Sequence, residues 1–301
     1  MSAVAALDCG TNSTRLAIAD SSGRPLCREM RITKLGEGVD ATGLISKEAI
    51  GRVASALIDY RKLMDSHGVE RARVVVTSAG RDAKNAHDFL RVVEAITGFA
   101  PEVLSGEEEG RLSFEGATAG RPREEEPFAV VDIGGGSTEI ALGPASGPTL
   151  VRSLEMGCVR ITERFLAHDP PEPQELSAAR DHVDGLLFSC LPKMMDPAPK
   201  TMLGLAGTVS ALARLDQGLE TYERDKIHGY RLSLVACRSW LEALSKEETA
   251  KRRERPSMEA ERAGVIVGGT LVLVAVMEYL GMSECVASEA DILDGLIATL
   301  L

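Results

Sequence analysis

The chain has 301 residues, of which 45 are acidic and 34 basic, giving a formal net charge of −11; 44% of it is hydrophobic and 26% charged. That length fits one or two globular domains with a substantial core. The acidity argues against a nucleic-acid coat or a binder of anionic membranes, although the deficit is uneven: residues 1–120 carry a net −2 and residues 121–301 a net −9.

In chain order, the N-terminal MSAVAALD lacks a basic n-region and meets Asp8, so it does not read as a secretory signal. The apolar run at 4–7 leads into DCGTNSTRLAIA at 8–19, a strand, a glycine turn and a second strand, with Asp8 ending the first strand. Apolar residues at Ile50, Val53, Ala54, Leu57, Ile58 and Leu63 predict an amphipathic helix over 46–67. RVVVT at 73–77 reads as a buried parallel strand, followed by a helix over 82–96, a strand at 102–104 and a helix from Glu107. Strands alternating with helices define an α/β domain.

The stretch RPREEEP at 121–127 has no periodicity and reads as a linker, which places one domain at 1–122 and a second at 123–301, with the last helix a candidate to pack back on the first. The second domain opens with DIGGGSTEIALG at 132–143. This repeats the first hairpin 124 residues later, with Asp, Gly, Ser, Thr and Ala coinciding without a gap. A strand at 149–154, helices through 160–190, a strand at 202–206 and helices to the end complete the pattern. The 15-residue apolar stretch at 263–277, flanked by Glu261, Arg262 and Glu278, is short for a membrane span and predicts a fully buried helix.

Six scattered cysteines without a CxxC pair predict buried free thiols in a reducing cytoplasm. Five histidines without ligand spacing argue against zinc, and no GxxxxGK[ST] loop is present.

The two turns carry the chemistry. Gly134, Gly135, Gly136, Ser137 and Thr138 form one, and Gly10, Thr11, Asn12 and Ser13 the other; small residues in tight turns expose backbone N–H groups that cradle phosphate. Asp8 and Asp132, at the strand ends, are placed to orient a metal-bound water. Glu139 reads either as a metal-associated carboxylate or as part of a solvated strand face. In SGEEEGR at 105–111, Ser105 and Glu108 fit a capping box, and Glu107 suits the positive end of the helix, whereas Glu109 is surplus to capping and is a candidate general base. TSAGRDAKN at 77–85 joins a strand to a helix, an anion site to which Arg81 could add a forked contact; AGT at 206–208 repeats that junction. The basic run KRRER at 251–255 reads as a solvated face or as a steering patch for a polyanion.

Together DCGTNS (8–13), TSAGRDAKN (77–85), SGEEEGR (105–111), DIGGGSTE (132–139), LAGT (205–208) and ERAGVIVGG…SEADILDG (261–295) resemble the exopolyphosphatase and guanosine pentaphosphate phosphatase (Ppx/GppA) family, within the actin, hexokinase and Hsp70 superfamily. The resemblance implies two ribonuclease-H-like α/β domains with an interdomain active-site cleft. It implies hydrolysis of the terminal phosphate of inorganic polyphosphate, or of the 5′ γ-phosphate of pppGpp, with Mg²⁺ or alternatively Mn²⁺. It aligns Glu109 with the catalytic glutamate, Arg81 with a phosphate-binding arginine, and Asp132 and Glu139 with the metal-associated acids; Asp8 is a further candidate for the metal. Asn12, Ser13, Gly134, Gly135, Gly136, Ser137, Gly207 and Thr208 match phosphate-contacting turns. The family resemblance also implies a homodimer. This chain resembles the short form without the C-terminal HD-type domain, so short phosphate chains are the expected substrate. The rival readings are a sugar or acetate kinase of the same superfamily, which would consume ATP, and a non-catalytic alarmone sensor, which would bind pppGpp or ppGpp without releasing phosphate.

Overall fold

A computed structural model describes residues 3–192 and 197–301. The chain forms two compact units: the first comprises Met1–Gly116 with Ile292–Leu301, and the second Ala117–Asp291.

The first unit opens with β1 (Ala3–Cys9), β2 (Ser13–Asp20) and β3 (Pro25–Ile32), an antiparallel meander. After a short α1 (Val39–Thr42) comes α2 (Lys47–Ser66), whose N-cap Ser46 accepts from the Ala49 N–H. Next are β4 (Val69–Val76), α3 (Ser78–Asp82), α4 (Ala86–Thr97), β5 (Pro101–Val103) and α5 (Gly106–Thr118). β4 pairs parallel to β1 and β5 parallel to β4, giving the order β3-β2-β1-β4-β5. The helix expected over 82–96 is α4, which starts only at Ala86 because the chain leaves helical geometry at Ala83, the extended C-cap of the preceding α3. β3 was not foreseen: its PLCREMRI sequence is mostly solvent-exposed and lacks the apolar signature of a central strand.

Alternation along β1 sends Ala3, Ala5, Leu7 and Cys9 into one core, with Val53, Leu57, Tyr60, Phe89 and Val93 from α2 and α4. Val4 and Ala6 face a second, smaller core. It includes Leu112 of α5 and Leu293 and Leu296 of α13 (Ile292–Ala298), the helix that counts with the first unit. Asp8 ends this second row.

The second unit begins with a 3₁₀ turn at Arg123–Glu125, then β6 (Phe128–Ile133), β7 (Thr138–Gly143), β8 (Leu150–Leu154), α6 (Cys158–Phe165) and α7 (Pro173–Cys190). β9 (Thr201–Leu205), α8 (Ala206–Gln217), α9 (Arg224–Ile227), β10 (Arg231–Ser233), α10 (Leu234–Ser245), α11 (Thr249–Arg253), α12 (Ile266–Tyr279) and β11 (Glu284–Ala287) follow. The sheet order is β8-β7-β6-β9-β11-β10, so β6–β9 repeat the β1–β4 arrangement. Both units therefore have the ribonuclease-H-like α/β order.

The expectation of helices from residue 206 to the end is corrected by β10 and β11. They have three and four residues, too short to show a period of two, and they are strands through pairing with each other and with β9. α12 matches the buried helix expected at 263–277. Every residue from Ile266 to Met277 is buried, and each fully buried Val or Leu contributes roughly 1.5–3 kcal/mol. No helix among the described residues is long and apolar enough to cross a membrane.

All six cysteines are free. Cys9, Cys158, Cys237 and Cys285 are buried as expected, while Cys27 and Cys190 are only half-buried. Burial pushes the Cys237 thiol up to about 12 and Cys9 higher still.

Gly295 of α13 lies where an added Cβ would stand 2.2 Å from the Leu112 carbonyl oxygen of α5. Gly295→Ala is expected to destabilise the protein by about 1–3 kcal/mol, as overpacking does, measured by urea unfolding. A variant of wild-type stability would show that α13 moves aside freely.

Candidate active site

In the first unit, the 10–13 turn is closed by the Gly10 N–H donating to the Ser13 carbonyl at 2.9 Å. Its other carbonyls are taken from behind. Thr11 O accepts from the Gly36 N–H, and Asn12 O from both Thr33 N–H and Lys34 N–H. Thr11 Oγ1 accepts from the Ala79 N–H at 3.1 Å, tying the turn to α3. Asn12 is buried, and its Nδ2 has no hydrogen-bond partner. A buried donor left in that state costs about 1–3 kcal/mol, so the turn is built to receive an acceptor.

α3 follows β4 directly. At Gly80 a Cβ would lie 2.3 Å from Val76 Cγ1, so only glycine lets the helix start this close to the strand. The last turn of α3 carries Arg81, whose Nη1 donates to the Leu104 carbonyl at 2.9 Å and to Glu109 Oε2 at 2.7 Å. The strand adjacency β4–β5 thus joins two candidates that lie 28 residues apart. Ser105 Oγ caps α5 by accepting from the Glu108 N–H, but the Glu108 carboxylate turns to Arg111, so only half of the expected capping box forms. Glu109 belongs to neither arrangement and is 12% exposed at its side chain.

Asp8, 3% exposed, stands directly across from Arg15 in the β1–β2 ladder. Its Oδ2 accepts from Arg15 Nε at 3.0 Å and Nη2 at 2.6 Å.

In the second unit, the same ladder position pairs Asp132 with Glu139. Side chains directly opposite in an antiparallel pair share a face, with Cβ atoms roughly 4.5–5.5 Å apart. Both are buried, at 6% and 1% exposure, so Glu139 is not on a solvated strand face. Ser153 Oγ donates to Glu139 Oε1 at 2.7 Å.

The 134–136 turn is held by the start of α6. Gly134 O accepts from Cys158 N–H, Gly135 O from Val159 and Arg160 N–H, and Gly136 O from Gly157 N–H and from Arg160 Nε. With these carbonyls bound behind it, the turn is free to present N–H groups forward. At Gly157 a Cβ would fall 2.3 Å from the Gly135 carbonyl, which dictates glycine there.

At the β9–α8 junction, Ala206 takes φ 64 and Thr208 Oγ1, buried beside the Cys158 thiol, has no oxygen or nitrogen partner. The Arg262 guanidinium lies against Gly207, where a Cβ would meet it at 2.0 Å, and Arg262 pairs with Glu259. Glu259 also meets the buried Arg214. Among the described residues, Lys34 (φ 49) and Ala206 are the non-glycine positions with positive φ, and both adjoin a candidate phosphate turn.

Several of these residues carried no role in the sequence reading. Ser153, Gly157, Arg160 and Arg262 all lie outside the turns they support. In the 251–255 run Lys251, Arg253 and Glu254 are exposed, Arg255 is half-buried and Arg252 is buried, so the run is a solvated face with one cation turned inward. Arg252 is 2% exposed and binds Asp169 and the carbonyls of Glu247 and Ala263; Arg255 binds Glu247 and lies over the Trp240 ring; Arg253 reaches the Ala260 carbonyl.

No group of three or more His, Cys, Asp or Glu side chains suited to a metal occurs among the described residues. Two adjacent buried carboxylates nevertheless fit Mg²⁺, which is usually held by one or two carboxylates with waters and substrate phosphates filling the remaining positions.

Two ribonuclease-H-like α/β units, each with a glycine turn of the phosphate-binding type inside its first hairpin, define the fold class of the chain. The sequence model of the Ppx/GppA phosphatase family matches residues 16–301, and the chain belongs to that family. It is 42% identical to exopolyphosphatase 2 of Mycobacterium tuberculosis, over 99% of this chain and 98% of that one. Among solved structures, it is similar to the Ppx/GppA enzyme of Aquifex aeolicus, with 31% identity, TM-score 0.83 and 99% of each chain covered. It is also similar to an exopolyphosphatase from Cytophaga hutchinsonii, with 26% identity, TM-score 0.91 and 99% and 97% covered.

Gly157→Ala tests the support of the turn. The added methyl is expected to displace Gly135, raising KM for a phosphate-chain substrate roughly tenfold or more while far-UV circular dichroism stays native. An unchanged KM would mean that the turn tolerates the shift.

Proposed function

We propose that the protein is an exopolyphosphatase that removes terminal phosphate from short inorganic polyphosphate, with the 5′ phosphate of pppGpp as a second substrate. The observation that carries this reading is the Arg81–Glu109 contact at 2.7 Å, a carboxylate held next to an arginine at the end of a strand–helix junction. The relatives named as exopolyphosphatases support the same activity.

In this reading, Glu109 orients an attacking water and accepts its proton, so that the oxygen is in line with the scissile P–O bond. Arg81 serves two partners. It fixes the Glu109 carboxylate, and its remaining N–H groups bind oxygens of the terminal phosphoryl group. Asn12 Nδ2 and Thr208 Oγ1 gain, from phosphate oxygens, the acceptors they lack within the protein. Backbone N–H groups of the 134–137 turn bind the phosphate chain, and Arg262 adds positive charge at Gly207. Asp132 and Glu139 would hold Mg²⁺, with Mn²⁺ an alternative and Asp8 a further candidate, although one Asp8 oxygen already serves Arg15. Bound there, the ion would supply charge neutralisation to phosphate oxygens. Within the 251–255 run Arg252 and Arg255 are held by Asp169 and Glu247, which leaves two exposed cations there, too few for a long basic track, and this favours short chains.

Phosphate release from tripolyphosphate, long polyphosphate and pppGpp, assayed side by side with Mg²⁺, tests the proposal; absence of release from all three would sink it. Glu109→Gln should lower kcat by ~10²–10⁴-fold with KM for tripolyphosphate little changed. Turnover near that of the wild type would remove Glu109 from the role of base. Ser153→Ala, which leaves Glu139 without its hydroxyl donor, should raise the Mg²⁺ concentration for half-maximal activity roughly 10–100-fold. An unaltered Mg²⁺ titration would show that Glu139 needs no such orientation.

A further inference from the structure

Lys34 stands in left-handed geometry at φ 49, where glycine or asparagine is at home and a lysine is strained. The backbone reason for the bend is visible. It lets Thr33 N–H and Lys34 N–H converge on the Asn12 carbonyl at 3.0 and 2.9 Å, while Arg52 binds the Thr33 and Lys34 carbonyls from the other side. Glycine would satisfy all of these bonds without strain, so the backbone does not account for the side chain.

The charges around the turn are otherwise matched. Arg15 pairs with Asp8, Arg81 with Glu109, and Arg52 with Glu37. Lys34 is half-buried, and among the described residues its ammonium has neither a carboxylate nor a hydrogen-bond acceptor as a partner. Its backbone neighbour Asn12 carries the buried donor Nδ2, also without a partner. A buried donor without an acceptor, on a turn hydrogen-bonded to the segment that carries an unpaired cation, suits an anionic ligand with several acceptor oxygens.

We propose that Lys34 is a substrate-binding residue, its ammonium contacting a phosphoryl oxygen of the chain held at the 10–13 turn. The inference rests on the reading of that turn as a polyphosphate site. A lysine gives a compact point charge here, neutralising a phosphate without demanding forked geometry.

The test compares wild type, Lys34→Met, Lys34→Arg and Lys34→Gly in tripolyphosphate hydrolysis and in calorimetric tripolyphosphate binding, with Tm measured for each. A charge-assisted hydrogen bond is worth enough that Lys34→Met should raise KM and Kd roughly 10–100-fold, with a smaller effect on kcat. Lys34→Arg should recover most of the affinity. Lys34→Gly should raise Tm by relieving strain yet bind as poorly as Lys34→Met, which separates the side chain from the backbone. Unchanged KM and Kd in Lys34→Met, with active wild type, would overturn the role of Lys34 and leave the exopolyphosphatase reading standing. Wild type that neither binds nor hydrolyses tripolyphosphate would overturn both.

Discussion

The rest of the structure depends on how the two glycine turns satisfy their carbonyls. A backbone C=O buried without a donor is costly, and a turn that bound its own carbonyls through its own N–H groups would have none left for a ligand. The protein avoids this by supplying donors from elsewhere. In the second unit, the first turn of α6 gives its otherwise unsatisfied N–H groups to Gly134, Gly135 and Gly136. In the first unit, the segment at 33–36 does the same for Thr11 and Asn12. Gly157 and the strained Lys34 are local consequences of bringing that second backbone close enough.

The internal repeat preserves the ladder position opposite each aspartate but not its charge. Arg15 faces Asp8 and Glu139 faces Asp132. One ladder position holds an oppositely charged pair and the other holds two carboxylates. A duplicated hairpin has thus diverged into two electrostatic roles by one residue type. The acid pair lies on the face of the sheet opposite Ala129, Val131 and Ile133, which pack into the main core, so changing the charge leaves that packing intact.

Much of this was legible in the sequence, and the parts that were not have a common reason. The repeat identified both hairpins, and strand–helix alternation identified the α/β class. α2 starts and stops where its cap residues Ser46 and His67 indicate. Arg81 and Glu109 were each singled out, yet their contact could not be read, because it depends on β5 lying beside β4. Ser153, Gly157, Arg160 and Arg262 act on turns from other elements, and no local pattern marks them. In the basic run at 251–255 the inward turn of Arg252 was not legible, because charge along a sequence does not say whether a guanidinium faces water or a set of carbonyls.

Cys9 immediately follows Asp8 and points into the opposite face of the same strand, fully buried among aliphatic side chains. Its thiol is held protonated by burial and so is inert to electrophiles in the closed protein. Alkylation at Cys9 therefore requires β1 to come away from its neighbours, carrying the 10–13 turn with it. The rate of that labelling is a built-in clock for local opening at the turn, readable by mass spectrometry without altering a residue.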